Sequence, residues 1–187
     1  MKIRLATLEI QKDSIVDGEG IRSVIWTQGC IHNCPGCHNP ETHSFKTGYL
    51  IDIEDIKSEL NELIGQDGIT FSGGDPMEQA EACAELANYC KSLGLNVWCY
   101  TGYTFEELLK KSQVFPNIKK FLENIDVLVD GKFQLEEKSF DVVFRGSKNQ
   151  RLIDVPKSLR EGKTISVKKY NNSLENQKGR KNHYMYV

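Results

Sequence analysis

The chain has 187 residues, 39% of them hydrophobic and 27% charged, which suits one globular domain with a sizeable core. Its 24 Lys and Arg against 26 Asp and Glu leave a net charge of −2, so no global charge drives it toward nucleic acid or an anionic membrane. No apolar run approaches the ~20 residues that span a bilayer, and the first residues turn polar too soon for a signal peptide. A cytoplasmic location is therefore expected, where thiols stay reduced and six cysteines do not make a disulfide framework. The cysteines are unevenly placed: Cys30, Cys34 and Cys37 crowd one loop, whereas Cys83, Cys90 and Cys99 are dispersed.

In chain order, residues 3–10 and 22–27 read as strands, the second running Arg22-Ser23-Val24-Ile25-Trp26-Thr27 up to Gly29 and the first cysteine. Between them Asp17-Gly18-Glu19-Gly20 is turn-forming. Asp52 can cap a helix over 54–64, in which Ile56, Leu60, Leu63 and Ile64 share one face and Gly65 ends the run. Ile69-Thr70-Phe71-Ser72 is a short buried-type strand that leads into Gly73-Gly74-Asp75-Pro76. Asp75 stands where an N-cap belongs and Pro76 where a first helical residue belongs, which predicts a helix to about Leu93 with Gly94 as its stop. A strand over 95–100 follows. Thr104 and Glu107 have capping-box spacing and open another helix, 117–124 reads as helical, and 125–129 is again an apolar strand.

Beyond Phe144 the pattern thins to strand-like pieces at 151–155 and 164–168. The last stretch, 168–187, is rich in Lys and Asn and predicts a weakly ordered polar tail behind a single domain over 1–167. Strands alternating with helices imply an α/β fold with a parallel sheet wound by right-handed crossovers. The repeats are too few for a closed eight-stranded barrel, which needs at least ~200 residues, so the expectation is a partial, open (β/α) barrel.

The main chemical signal is Gly29-Cys30-Ile31-His32-Asn33-Cys34-Pro35-Gly36-Cys37, a C-x3-C-x2-C spacing. Three thiolates on one short loop can serve a soft metal centre, either zinc or an iron–sulfur cluster. An electron-transfer cubane takes four cysteines, so three leave one iron open to a small molecule. The plain alternative is a structural zinc site with His32 or His38 as fourth ligand, although such sites usually show two separated ligand pairs.

With that spacing at the end of a core strand, the chain resembles the radical S-adenosylmethionine superfamily. The resemblance implies a [4Fe–4S] cluster on Cys30, Cys34 and Cys37 whose open iron binds the methionine part of S-adenosylmethionine. An electron from the cluster would break the sulfonium to give a 5′-deoxyadenosyl radical, at the C-terminal mouth of a partial (β/α) barrel. Ser72-Gly73-Gly74-Asp75-Pro76 resembles that family's glycine-rich element for the cofactor's amino group, with Asp75 where Glu is commoner. Asp17-Gly18-Glu19-Gly20-Ile21-Arg22 and Asn39-Pro40-Glu41-Thr42 resemble the glycyl-radical-enzyme activases. Three further segments, at 98–103, 127–133 and 144–151, are similar to the activators of anaerobic (class III) ribonucleotide reductase.

By that resemblance Gly36, Cys37 and His38 would line the adenine side, Gly74 the methionine end, and Asp130, Gly131 and Lys132 would lie beside the cofactor. The implied partners are the glycyl radical subunit of the reductase and an electron donor such as flavodoxin or ferredoxin. A pyruvate formate-lyase activase and a non-catalytic zinc or iron–sulfur module stand as alternatives. Asp130-Gly131 also reads as a plain turn, and Lys132 as a solvated lysine. Arg145-Gly146-Ser147-Lys148-Asn149-Gln150 reads as a binding loop or a hydrogen-bonded turn. Cys83, Cys90 and Cys99 read as core packing, and Trp98, Tyr100 and Tyr103 as walls of the barrel mouth, without the basic residues that nucleic-acid binding needs.

Overall fold

The computed structural model describes residues 1–171, built on one sheet of eight strands that does not close on itself. In chain order it contains β1 (Lys2–Leu5), β2 (Gln11–Ser14), β3 (Arg22–Thr27), β4 (Tyr49–Asp52), α1 (Ile53–Asn61), β5 (Gly68–Gly73) and α2 (Ala80–Ser92). There follow β6 (Asn96–Tyr100), α3 (Phe105–Ser112), α4 (Pro116–Leu122), β7 (Val127–Asp130), β8 (Arg151–Asp154), α5 (Val155–Glu161) and α6 (Lys168–Asn171). Among the described residues, no helix is long and apolar enough to cross a membrane.

The expected parallel sheet is found only in the middle. Strands β3, β5, β6 and β7 lie side by side and parallel, with Arg22 opposite Gly68 and Thr27 opposite Gly73. Both flanks are antiparallel: β1 and β2 to β3, β4 to β1, and β8 to β7. Between β2 and β3 the reason is chain length: a parallel return needs a crossover of a dozen or more residues, and only residues 15–21 join them. The strand expected over 3–10 stops at Leu5, and a separate strand, β2, begins at Gln11; the two pair with opposite ends of β3, Leu5 facing Thr27 and Gln11 facing Val24.

Alternation along the strands divides the core in two. Ile25, Ile69, Phe71, Val97, Cys99 and Leu128 face the helices, where the Phe71 and Phe121 rings meet edge to face at 5.3 Å. Each such buried side chain contributes about 1.5–3 kcal/mol. On the other face Trp98, Val129 and Leu152 cluster with Tyr170. Lys168–Asn171, at the start of the stretch expected as a tail, forms a single helical turn with the Tyr170 ring 5.3 Å from Phe144, and the remainder of that stretch lies outside the described residues.

The cap signals act as the residue types demand. Asp52 accepts from Glu54 N, and Thr104 and Glu107 form a reciprocal capping box. The strand expected at 151–155 forms as β8, and it runs straight into the unforeseen helix α5. Its start is fixed by Asp154, which accepts from Lys157 N, and its end by Gly162 at φ 66.

Two buried charges stitch the strands. Arg22, 1% exposed, donates from Nε to Thr70 Oγ1, from Nη1 to Glu19 O and Asn96 Oδ1, and from Nη2 to Ile69 O and Asn96 O. Burial pulls its pKa down to about 10. It joins β3, β5 and β6 at their N-terminal ends. Asp130, fully buried at the end of β7, accepts from Arg151 through both oxygens and from Phe105 N at 2.8 Å, so it anchors β8 and the start of α3. Arg151 also holds Glu106, whose pKa it lowers to about 2.

Removing Arg151 should strand a buried carboxylate. Arg151→Leu is expected to destabilise the protein by roughly 2–3 kcal/mol in urea unfolding, after allowance for the partial exposure of the arginine. Glu106→Gln, at an exposed partner, should cost less than about 1 kcal/mol. Equal costs would show that Asp130 is not the anchoring partner.

Candidate functional site

Parallel strands deliver their C-terminal loops to one edge of a sheet, and here β3, β5, β6 and β7 do so around a cleft of about 270 Å³. Cys30, Cys34, Cys37, Gly74, Gly131 and Gln150 are among the residues that line it, so three segments far apart in the chain converge there.

The cysteine loop is turned by Gly29, Asn33 and Gly36, at φ 105, 45 and 71. Its start is pinned to the segment that follows it, Gly29 N donating to Thr42 O at 2.8 Å and Cys30 N to His43 O at 3.1 Å. Gln28 Nε2 reaches Glu41 O, Ser44 O and Thr47 Oγ1 from beneath. Asn39-Pro40-Glu41-Thr42 is thus a supporting turn, with Thr42 buried. His32 N and Asn39 N donate to the sulfurs of Cys30 and Cys37 at 3.5 and 3.4 Å.

Burial pushes the Cys30 thiol up to about 11 and raises that of Cys34. That is the reverse of a nucleophilic or redox cysteine, which needs a lowered pKa. As thiolates the three cysteines would be soft ligands for a metal. Among the described residues no three His, Cys, Asp or Glu side chains gather tightly enough to share one ion. A cubane bonds each cysteine to a different iron and does not ask for that. Of the imidazoles weighed as zinc ligands, His32 is committed elsewhere: its Nε2–H donates to Asp75 Oδ2 at 2.8 Å. His38 is exposed and its ring lies against Phe133 at 4.8 Å.

The glycine turn locks directly onto this loop. Gly74 N donates to Thr27 O at 2.7 Å and Asp75 N to Gly29 O at 2.9 Å. A Cβ on Gly74 would stand 2.4 Å from Gly29 O, so the turn needs glycine against the backbone next to Cys30. Asp75, 1% exposed, accepts from Met77 N as a helix cap, from Thr101 Oγ1 and Gly102 N beyond β6, and from His32.

The third segment is folded on itself. Gln150 Oε1 accepts from Gly146 N and Ser147 N, Gln150 Nε2 donates to Gly131 O, and Asn149 Nδ2 donates to Lys132 O. Phe144, at φ 55, accepts from Tyr100 OH and packs its ring on Trp98. Arg145 Nη1 donates to Gln150 O, while its buried Nε has no hydrogen-bond partner among the described residues.

Of the residues singled out from the sequence, the three cysteines, His38, Gly74 and Gly131 line the cleft. Lys132 lies with Cys34 on an adjoining groove, and the exposed Gly36 sits under Leu135. Asp130 does not line the cleft, because both its oxygens serve the Arg151 and Phe105 contacts. Of the three aromatic residues, Tyr100 alone reaches the cleft, whereas Trp98 is core and Tyr103 donates to Glu78. Cys83, Cys90 and Cys99 are buried in the core, and burial raises their thiol pKa values. The hub role of Asp75 and its partners His32 and Thr101 was not foreseen. Only the histidine inside the cysteine motif hinted at it.

Residues 16–153 match a family described as a 4Fe-4S single cluster domain. The chain is 34% identical over 151 residues to the anaerobic ribonucleoside-triphosphate reductase-activating protein of Haemophilus influenzae, covering 76% of this chain and 94% of that protein. It is 38% identical over 144 residues to the protein of that name from Vibrio cholerae, covering 73% and 89%. With the one from Enterobacteria phage T4 it shares 32% over 145 residues, covering 73% and 86%. Cluster-type cysteines and matches that run through most of both partners agree: this chain belongs to the family of anaerobic ribonucleoside-triphosphate reductase-activating proteins.

Proposed function

We propose that this chain activates an anaerobic ribonucleoside-triphosphate reductase by generating a glycyl radical on it, with S-adenosylmethionine and a [4Fe–4S] cluster held by Cys30, Cys34 and Cys37. The observation that carries this reading is the convergence of three cysteines, a glycine turn and the 131–150 segment on one open cleft. When bound, the cluster and cofactor supply one-electron cleavage of the sulfonium and, through the 5′-deoxyadenosyl radical, abstraction of hydrogen from the partner's glycine.

The chain's own part is to bind, orient and shield. Three protein ligands leave one iron for the cofactor, and the backbone NH groups of His32 and Asn39 steady two of the sulfurs. The turn at Gly73 and Gly74 offers bare backbone to the methionine end. Gly131 and His38 border the remaining space, and Lys132 stands ready to neutralise an anionic oxygen at its edge. Asp130 serves this indirectly, holding the end of β7 on which Gly131 sits. The open edge of the cleft suits a macromolecular substrate that covers it and excludes water. The four parallel strands with the cleft at their C-terminal ends support a partial barrel of the radical S-adenosylmethionine type, working in the cytoplasm with flavodoxin or ferredoxin as reductant.

The deciding experiment is anaerobic reconstitution, then incubation with reductant, cofactor and reductase, counting glycyl spins per cofactor cleaved. A colourless protein holding one zinc would end the enzymatic reading. Efficient activation of pyruvate formate-lyase but not of the reductase would replace the partner and leave the chemistry intact.

Three groups of variants sharpen this. Ala at Cys30, Cys34 or Cys37 is expected to abolish cofactor cleavage, whereas Cys83→Ala should stay within a few-fold of the parent. Gly74→Ala should lower the iron bound per chain as well as cofactor affinity, since its methyl would push on the Gly29 carbonyl; unchanged iron would show that the turn yields freely. Arg145→Ala should reduce glycyl radical formation roughly tenfold or more while sparing uncoupled cofactor cleavage, as for an arginine at the centre of a docking surface. Parallel loss of both would assign Arg145 to the fold or the cofactor.

A further inference from the structure

We infer that His32 is a positioning residue, which with Asp75 and Gly102 couples the cluster loop to the turn that receives the cofactor. The inference rests on the proposed cluster and cofactor and adds a residue to their machinery. His32 lies inside the cysteine motif, two residues after Cys30 and two before Cys34, yet its side chain is 5% exposed. Its imidazole points away from solvent and donates to Asp75 Oδ2 at 2.8 Å. The same oxygen accepts from Thr101 Oγ1 and Gly102 N, which fills its acceptor positions and leaves the histidine as a donor.

The packing is as specific as the hydrogen bond. The His32 ring meets the Tyr103 ring edge-on at 4.5 Å. It lies so close over Gly102 that a Cβ there would stand 2.4 Å from ring carbon Cδ2. The backbone at Gly102 is not in the left-handed region, so torsion does not demand a glycine at this position. The imidazole does. Asp75 matters here in its length as well as its charge. It caps the turn after Pro76 through Met77 N while reaching His32, and a glutamate would carry its carboxylate one methylene further into a space already filled by the ring and Thr101. Asp75, His32 and Gly102 therefore make one matched set.

The consequence is that the sulfur ligands and the methionine-end turn are held as a unit. The cofactor is to bridge these two parts, so an error in their separation weakens its grip without removing any ligand. Partners that orient ligands from outside the coordination shell typically carry a 10–100-fold effect, taken here as roughly tenfold.

The test uses the full chain, reconstituted anaerobically, with three readouts: iron per chain, thermal stability, and the cofactor concentration that half-changes the electron-spin resonance of the reduced cluster. His32→Phe keeps a ring against Tyr103 and loses the hydrogen bond. Gly102→Ala keeps both hydrogen-bonding groups and displaces the ring. Both are expected to retain most of the iron and to need roughly tenfold more cofactor, and Gly102→Ser should behave as Gly102→Ala. Parent-like cofactor response in both variants would overturn the inference, as would a loss confined to stability and iron with the response of the remaining cluster unaltered. If the parent itself forms no cluster or shows no cofactor response, the proposed function fails instead, which separates the two.

Discussion

The buried carboxylate of Asp75 is the interaction on which the cleft depends. An unpaired carboxylate at 1% exposure would be prohibitively costly, so its place is tolerable only because donors from three separate loops converge on it. In surroundings of low dielectric those bonds strengthen one another. The same feature makes the arrangement brittle, because the donors come from three parts of the chain and no part can move alone. Order in the cysteine loop is thereby borrowed from β5 and β6, since the loop itself, with three residues at positive φ, has little intrinsic reason to hold one shape.

The two ends of the parallel strands are specialised in opposite ways. At the N-terminal end Arg22 satisfies its donors on carbonyls, the Thr70 hydroxyl and the Asn96 side chain, which ties strands together and leaves nothing for a ligand. At the C-terminal end glycines at Gly73, Gly74, Gly102 and Gly131 strip away side chains so that backbone faces the cleft or packs without a gap. This is the familiar division of labour in α/β proteins, with stability at one face and chemistry at the other. The antiparallel flanks lengthen the sheet, and among the described residues they add strands without adding crossover helices.

Much of this was legible in the sequence because local signals agreed with the global fold. Asp52, Asp75 and the Thr104–Glu107 pair announced their helices, and short apolar runs marked β5, β6 and β7. What escaped was set by non-local contacts. Nothing in residues 3–10 says that pairing stops at Leu5 and resumes only at Gln11, along the same edge of β3. Helix α5 carried an aspartate cap, a proline and a closing glycine, but its 7 residues hold too few apolar positions to show a helical period. Asp130 looked like a ligand because it ends a strand beside the cleft, and only the position of Arg151, 21 residues on, turns it into a structural charge. Three cysteines announce a soft-metal site by spacing alone, whereas the histidine among them acquires meaning only when Asp75 is seen beside it.

The distance along the chain between Cys30 and Gly102 also governs when the cleft can come into being. During synthesis the cysteine motif leaves the ribosome well before its supports, and domains assemble as units once enough chain has emerged. The loop at Gly29 cannot take its final packing until Gly74 is available, nor His32 until Gly102 is. For that interval the thiols are presented on an unsupported segment and are not yet set in place. On the proposed function, loading of the cluster would thus come late, and the three thiols would have to stay reduced while the second half of the sheet is being translated.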